Sequence, residues 1–371
     1  MGISESERLS RREVLKAAAL AGAAAVVGPT ILSRRRGEVY AAGAPTHPAI
    51  NPLRVVGIHD PHMTAEEKVQ TQLAEQDAIV RAEVVRANLD KLACALAGEK
   101  EPKAAWGRIF LKPPRKSWSE VVVAIKTNQI AQQRTRSAVM ASVCHVLVGL
   151  GVKPTQIFIY DACHGNSMNP YAGVPEGVVF AKQWGGSVTP VPLPPPYKEG
   201  KAEAKCLKHL ADGTVDILVN IALCKGHNDA HGKFTMCLKN HYGTFEPHCR
   251  WGTRETRGPA ADYLISINRT PQILGEIDAA SGKVLFPRQQ LCLIDALWAS
   301  QPGPGGLPTA QPNRIFMGTS AAVVDYVVAT DFRRDTMGWR INDEVAEHIL
   351  KEFGLTPGDL PNQGKVMQVA A

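Results

Sequence analysis

Short apolar runs, each closed by a polar cluster, constrain the fold of this chain more than any other feature. Residues 120–125 read Glu-Val-Val-Val-Ala-Ile and stop at Lys126-Thr127-Asn128. Gln156 to Tyr160 stops at Asp161-Ala162-Cys163-His164-Gly165. Val215 to Leu223 runs straight into Cys224-Lys225-Gly226-His227, and Gln290 to Ile294 stops at Asp295. Ser137 to Leu150, between the first two runs, reads as a helix with Gly151 past its end. Buried-type strands alternating with helices imply an α/β fold, a mostly parallel sheet with helices on both faces. The pattern leaves room for two lobes around a central crevice. In such sheets ligands sit at the carboxyl ends of strands. All four polar clusters occupy that place, and their convergence on one crevice is the main structural expectation.

The rest of the chain fills in around this frame. Leu53 to Ile58 reads as a strand ending at His59-Asp60-Pro61-His62. A long helix is expected from Thr64, with Glu67 completing a capping box, to Gly98. Further helices are expected over Ala202–Leu210, Thr270–Ala280, Ser320–Thr330 and Asp343–Phe353, a helical turn within 233–242, and a strand over Arg314–Met317. The organisation read from the sequence is a signal over 1–41, an arm over 42–53, an α/β domain over 54–340, and a C-terminal helix and tail over 341–371.

The N-terminus carries Ser10-Arg11-Arg12-Glu13-Val14-Leu15-Lys16, then an Ala-rich run to Leu32. This resembles a twin-arginine export signal, with Val14 where Phe is commoner. The run is too short and too rich in Ala and Gly for a convincing spanning helix. Val39-Tyr40-Ala41 and Ala42-Gly43-Ala44 offer cleavage sites. The expectation is a periplasmic or extracytoplasmic protein that meets the twin-arginine machinery and is exported already folded. The alternative is an uncleaved anchor. Residues 1–41 hold seven basic and four acidic side chains, so the formal net charge of +7 falls to +4 without them. That modest charge, with no interleaved basic and aromatic residues, argues against nucleic acid as a partner. None of the eight cysteines forms a C-x-x-C pair, so no iron–sulfur cluster is expected. An oxidising compartment allows pairing after export, but spacing does not say which cysteines pair.

Four of the eleven histidines, His227, His231, His241 and His248, fall between Cys224 and His248, among Cys237, Lys225 and Lys239. Such a concentration suits a metal or acid–base site, because imidazole, thiolate and amine are the ligands and bases available near neutral pH. The blander reading is a polar loop with hydrogen-bonded histidines. Candidate metal ligands are His164, His227, His231 and His241, for a divalent ion such as nickel or zinc. Candidate catalytic groups are Lys225, His227, Lys239, Asp161 and Asp295; the ordinary role of a strand-end Asp is to cap a helix. Candidate substrate binders are Lys126, Asn128, Thr135, Arg136 and Asn240.

The ordered motifs resemble the domain of unknown function 362 family. The matching pieces begin with Ala124-Ile125-Lys126-Thr127-Asn128, Thr135 before a helix, and Ile157-Phe158-Ile159-Tyr160-Asp161. They continue with Asn220 through Lys225 and His227, then Thr235-x-x-x-Lys239-Asn240-x-x-Gly243. Ile294-Asp295-Ala296, the Gly-rich loop after it, and Val323-Val324-Asp325 complete the set. The resemblance spans roughly residues 50–340 and implies fold and site more than reaction. Thr127 stands where the family often has Pro. The ferredoxin-like cysteine segment of many relatives is absent, which removes their electron-transfer reading. The layout is also similar to that of nickel-pincer lactate racemases, with Thr135-Arg136, Asp161-x-x-His164-Gly165, Lys225 and His241 in the corresponding places. That similarity implies a nickel-pincer-type cofactor. The resulting expectation is an exported metal- or cofactor-dependent enzyme, an isomerase, racemase or hydrolase, acting on a small anionic substrate. Its rivals are a non-catalytic exported metal- or anion-binding protein and an accessory subunit of a membrane redox complex.

Overall fold

The computed structural model describes residues 33–35, 38–40, 47–130, 133–161, 168–181, 188–197, 203–246, 260–278, 281 and 283–371. The twin-arginine motif, Cys163, His164, His248 and Cys249 lie outside these residues. Ser33–Arg35 pairs antiparallel with Glu38–Tyr40. Among the described residues no helix is long and apolar enough to cross a membrane.

An eight-stranded sheet organises the chain. Its strands are β1 (Val56–His59), β2 (Val123–Lys126), β3 (Ile157–Tyr160), β4 (Val179–Ala181), β5 (Ile217–Cys224), β6 (Gln289–Ala299), β7 (Arg314–Gly318) and β8 (Met367–Val369). Their order is β8-β1-β7-β6-β5-β2-β3-β4. Only β7 runs against its neighbours, so the expected mostly parallel α/β sheet is what forms. Every residue of β2, β5 and β6 is buried. Strands covered on both faces are therefore continuous apolar runs rather than alternating ones.

Helices α1 (Leu73–Ile79), α2 (Ala82–Ala97), α3 (Pro102–Ile109) and α4 (Ser137–Gly149) precede β3 in the chain. Leu89, Leu92, Trp106, Val139 and Val143 from α2 to α4 pack with Val123, Ile125, Val219 and Leu293 on one face of the sheet. On the other face lie α5 (Cys237–Asn240), α6 (Ala260–Asn268), α7 (Ala321–Val327) and α8 (Asp343–Glu352). A three-stranded sheet, Val188–Pro192, Glu203–Leu207 and Phe245–Glu246, adds to that layer.

Five segments differ from expectation. Thr64 does not start a helix: its hydroxyl donates to Asn313 Oδ1, and its backbone bridges Val80. The helix begins instead at Leu73 behind a Gln72–Glu75 capping box, and breaks before α2. Gly98, left-handed at φ 69°, ends α2 as expected. Glu203–Leu207 is a strand, because Glu203 and Lys205 face out while Ala204 and Cys206 face in, a period of two. Pro271–Leu274 is one helical turn, stopped by Gly275 at φ 113° before a hairpin with Val284–Pro287. The late helix runs past Thr330, its end widening to a π-helix over Val328–Thr336. Within the expected tail, β8 pairs parallel with β1 as the edge strand of the main sheet.

Candidate active site

The carboxyl ends of β2, β3 and β5 bring Lys126, Asn128, Asp161 and Lys225 into one hydrogen-bonded network. Lys126, only 1% exposed, donates to Thr127 O and Asn240 Oδ1 and pairs with Asp161 Oδ1 at 3.2 Å. An ammonium has three protons, and all three are taken. Asn240 Nδ2 donates to Asn220 Oδ1, at 2.9 Å, and to Lys126 O and Ile221 O. Asn128 bridges outward, donating to Asn240 Oδ1 and accepting from Lys225 Nζ at 2.9 Å. Gly243 closes the top. A Cβ there would collide with Asp161 Oδ1 and come within 2.6 Å of Lys126 Cε.

The turn carrying Lys239 and Asn240 is fixed from behind. Asp325, on α7, accepts from Cys237 N at 2.8 Å and Leu238 N at 2.9 Å, capping α5. Burial holds its carboxyl up at about 7. Lys225 itself is latched to Thr235 by paired backbone hydrogen bonds. Gly226 and Gly303 meet backbone to backbone, where a Cβ on either would strike the opposing chain. Arg333, fully buried, donates to Ser300 O, Lys233 O and Gln301 O and reaches Cys224 Sγ, tying these loops to the end of β5.

Above the sealed network sits a second cluster. His231 Nδ1 faces Asn228 Oδ1 at 2.6 Å, and that oxygen also accepts from His231 N, so Nδ1 carries the proton. Its Nε2 lone pair then faces Tyr242 Oη at 3.2 Å and Lys239 Nζ at 3.4 Å. Lys239 Nζ also lies 3.3 Å from the centre of the Tyr242 ring. Both partners favour the charged ammonium. The His227 ring stands 4.2 Å from that of His231. Burial and the Lys239 charge hold His227 down at about 4, and burial with Lys239 holds His231 at about 2. Both are neutral at physiological pH. The half-buried cluster thus offers an ammonium held in place beside a neutral imidazole, which suits anion binding with proton transfer.

The remaining expected residues are placed elsewhere. His241 is fully buried, donating from Nε2 to Gln289 Oε1 at 2.7 Å and accepting at Nδ1 from Thr244. Burial holds it at about 3. Asp295 alternates with Leu293 and Leu297 onto the α4 face, opposite Lys126 and Asn220. There it accepts from Arg136 N at 2.7 Å and Leu297 N and lies 3.8 Å from the Arg136 guanidinium. Gln76 and Asp77 complete this second polar group. The four polar clusters are therefore divided between two groups, joined by the segment from Asn128 to Arg136. Thr135 sits in that segment, its hydroxyl accepting from Thr127.

Among the described residues no three His, Cys, Asp or Glu side chains could hold a metal ion together. His231 and His241 have their nitrogens committed to protein partners, and His231 Nε2 points at an ammonium that would repel a cation. Tyr242, Gln289 and Arg333 gave no functional signal in the sequence, and Asp325 entered only as the end of the last family motif. Asn220 gave one: it is the lone amide inside an apolar strand.

No curated protein matches the chain, and no solved structure does. A family model described as Domain of unknown function (DUF362) matches residues 123–330, more than half of the 371 residues. The matched segment runs from the first residue of β2 through α7 and holds all the strand-end groups described above. The chain belongs to the DUF362 family.

Proposed function

We propose that this protein is an exported enzyme acting on a small anionic substrate, by isomerisation, racemisation or hydrolysis, at the cluster of Lys225, Lys239 and His227. The observation that carries this reading is Lys239, held as an ammonium between the Tyr242 face and His231 Nε2, beside a neutral His227. Lys239 would hold the anion, and the buried Lys225, which donates to Asn128, would add its charge from the network below. Burial depresses His227 most and the lysine charges add to it, and a bound anion offsets the charge part and raises the proton affinity of the ring. His227 would then take a proton from the substrate or from water. Lys126 and Asp161 support the floor rather than touch substrate, because the lysine's protons are already taken.

A metal-dependent version draws on residues outside the described ones, with His164 as a candidate ligand in addition to His227. No step here is routed through a metal. Export rests on the residues 10–16 motif, and replacing Arg11 and Arg12 by Lys should keep the protein in the cytoplasm.

The test is titration calorimetry with a panel of small carboxylates and phosphates, run beside elemental mass spectrometry for bound metal. Binding by the wild type, lost at least tenfold in Lys239→Ala with the fold intact, is expected. His227→Ala should keep binding and lose turnover. Turnover retained in His227→Ala would remove His227 from the chemistry, and absence of turnover in the wild type would favour the rival reading, a binding protein. Equal binding by Lys239→Ala would sink the site.

A further inference from the structure

We propose that Cys237 and Cys292 are a disulfide pair, closed when the protein meets a thiol–disulfide oxidant and joining α5 to the central strand β6. Spacing alone left the pairing of the eight cysteines open. Six are described, all as free thiols, and Cys237 and Cys292 are both fully buried in the same apolar cluster. Cys292 is the register partner of Asn220 across β5 and β6. The Asn220 amide donates to Cys237 O at 2.8 Å, which seats Cys237 directly over that strand pair. Cys237 Sγ lies 4.0 Å from Leu293 O, the residue after Cys292, and the two thiols are in hydrogen-bonding contact. A disulfide brings its sulfurs to about 2.05 Å, so closure needs the α5 turn to carry Cys237 onto the contacting Cys292 sulfur.

The bond would lie directly under the turn that presents Lys239 and Asn240. Asp325 already caps that turn through Cys237 N, and the crosslink would fix it covalently at the same residue. The chemistry balances with oxidised glutathione as the oxidant. One cysteine thiolate attacks a glutathione sulfur and expels glutathione thiolate. The second cysteine thiolate then attacks the mixed disulfide at the protein sulfur and expels the other glutathione. Two cysteine thiols are oxidised, one glutathione disulfide is reduced, and two protons pass to the departing thiolates. Burial pushes the Cys237 thiol well above its ordinary range, and no oxidant reaches it in the folded state. Closure therefore belongs to folding or to transient opening, and refolding is the condition that reveals it.

The full chain would be unfolded, refolded in graded mixtures of reduced and oxidised glutathione, alkylated and digested for peptide mass mapping. The expected product is a peptide pair joined through Cys237 and Cys292, with loss of two hydrogens from the intact mass. It should be absent from Cys292→Ala. The oxidised protein should melt roughly 5 °C higher than the alkylated one. Alkylation of both cysteines at every redox ratio, or crosslinking of Cys237 to another cysteine such as Cys224, would overturn the pairing. Neither result depends on the anion site.

Discussion

Lys126 and Lys239 end up on the two sides of Asn240, yet they do different work. Lys126 is sealed under Gly243 with three acceptors around its ammonium, one of them the Asp161 carboxylate. Lys239 is half-buried, and its neighbours are a ring face and an imidazole lone pair. The histidines divide in the same way. His241 has both nitrogens used inside the floor, while the His227 and His231 rings meet at a tilt in the cluster above it. Burial and surroundings, not residue type, separate the sealed floor from the half-buried cluster above it.

The largest effects should come from breaking the scaffold. Gly243→Ala drives a methyl group into a buried ion pair, and Lys126→Met leaves the Asp161 carboxylate buried without its cation. Each should cost about 3–5 kcal/mol of stability in denaturant melts. Lys239→Met, at the half-buried cluster, should cost under ~1 kcal/mol while abolishing anion binding. If Lys126→Met were as stable as Lys239→Met, the division between the two lysines would be false.

Much of this was legible in the sequence. The strand ends after Ile125, Tyr160 and Leu223 were readable because buried parallel strands are continuous apolar runs, and the polar residues after them stand out. The division of the site was not. Whether Lys126 or Lys239 meets solvent depends on Asn240 and Gly243, which come from a turn more than a hundred residues after β2. The face of Asp295 follows from the start of β6 at Gln289, one residue before the expected strand and extended five beyond it. Ala202–Leu210 reads as helix because the alternation within Glu203–Leu207 is short and its Ala and Lys content is helical. Arg333 was invisible because nothing in a charged stretch marks one guanidinium as the buried one.

The histidine half of the comparison sets a pH dependence of intermediate size. In His47, His227, His231 and His241 the folded state holds the imidazole below its ordinary 6.5. The unfolded chain therefore takes up protons first as pH falls through 6.5, and stability drops with acidification. Asp325 acts in the opposite sense. Its carboxyl is raised to about 7, so its contribution favours folding at lower pH and fades as pH rises from about 4 to 7. Asp295, whose carboxyl burial also raises, acts in the same sense as Asp325. Four histidines outweigh the two carboxyls, and net acid lability is expected between pH 6 and 4. His241→Gln should lower stability at pH 7, yet flatten the acid slope by close to one proton. An unchanged slope in a pH series of denaturant melts would mean that His241 is not held neutral in the floor.

The smallest effect sharpens the comparison most, because it changes Lys239 without touching it. Tyr242→Leu keeps apolar volume over the α6 side, where Tyr242 meets Tyr263 edge-on. It removes the ring face beneath the ammonium and the hydroxyl opposite His231 Nε2. A cation–π contact at a partly desolvated site is worth about 1 kcal/mol, so anion affinity should fall roughly fivefold, with the fold kept. His231→Asn removes the other partner and should fall by a similar factor. If the ring and the imidazole hold one ammonium in one position, the two losses are coupled. The double variant should then lose less than the product of the single losses, since a lysine already released by one change has little left to lose from the other. Strictly multiplicative losses in calorimetric titrations would mean that Tyr242 and His231 act on the anion separately, and that Lys239 is not the group they hold.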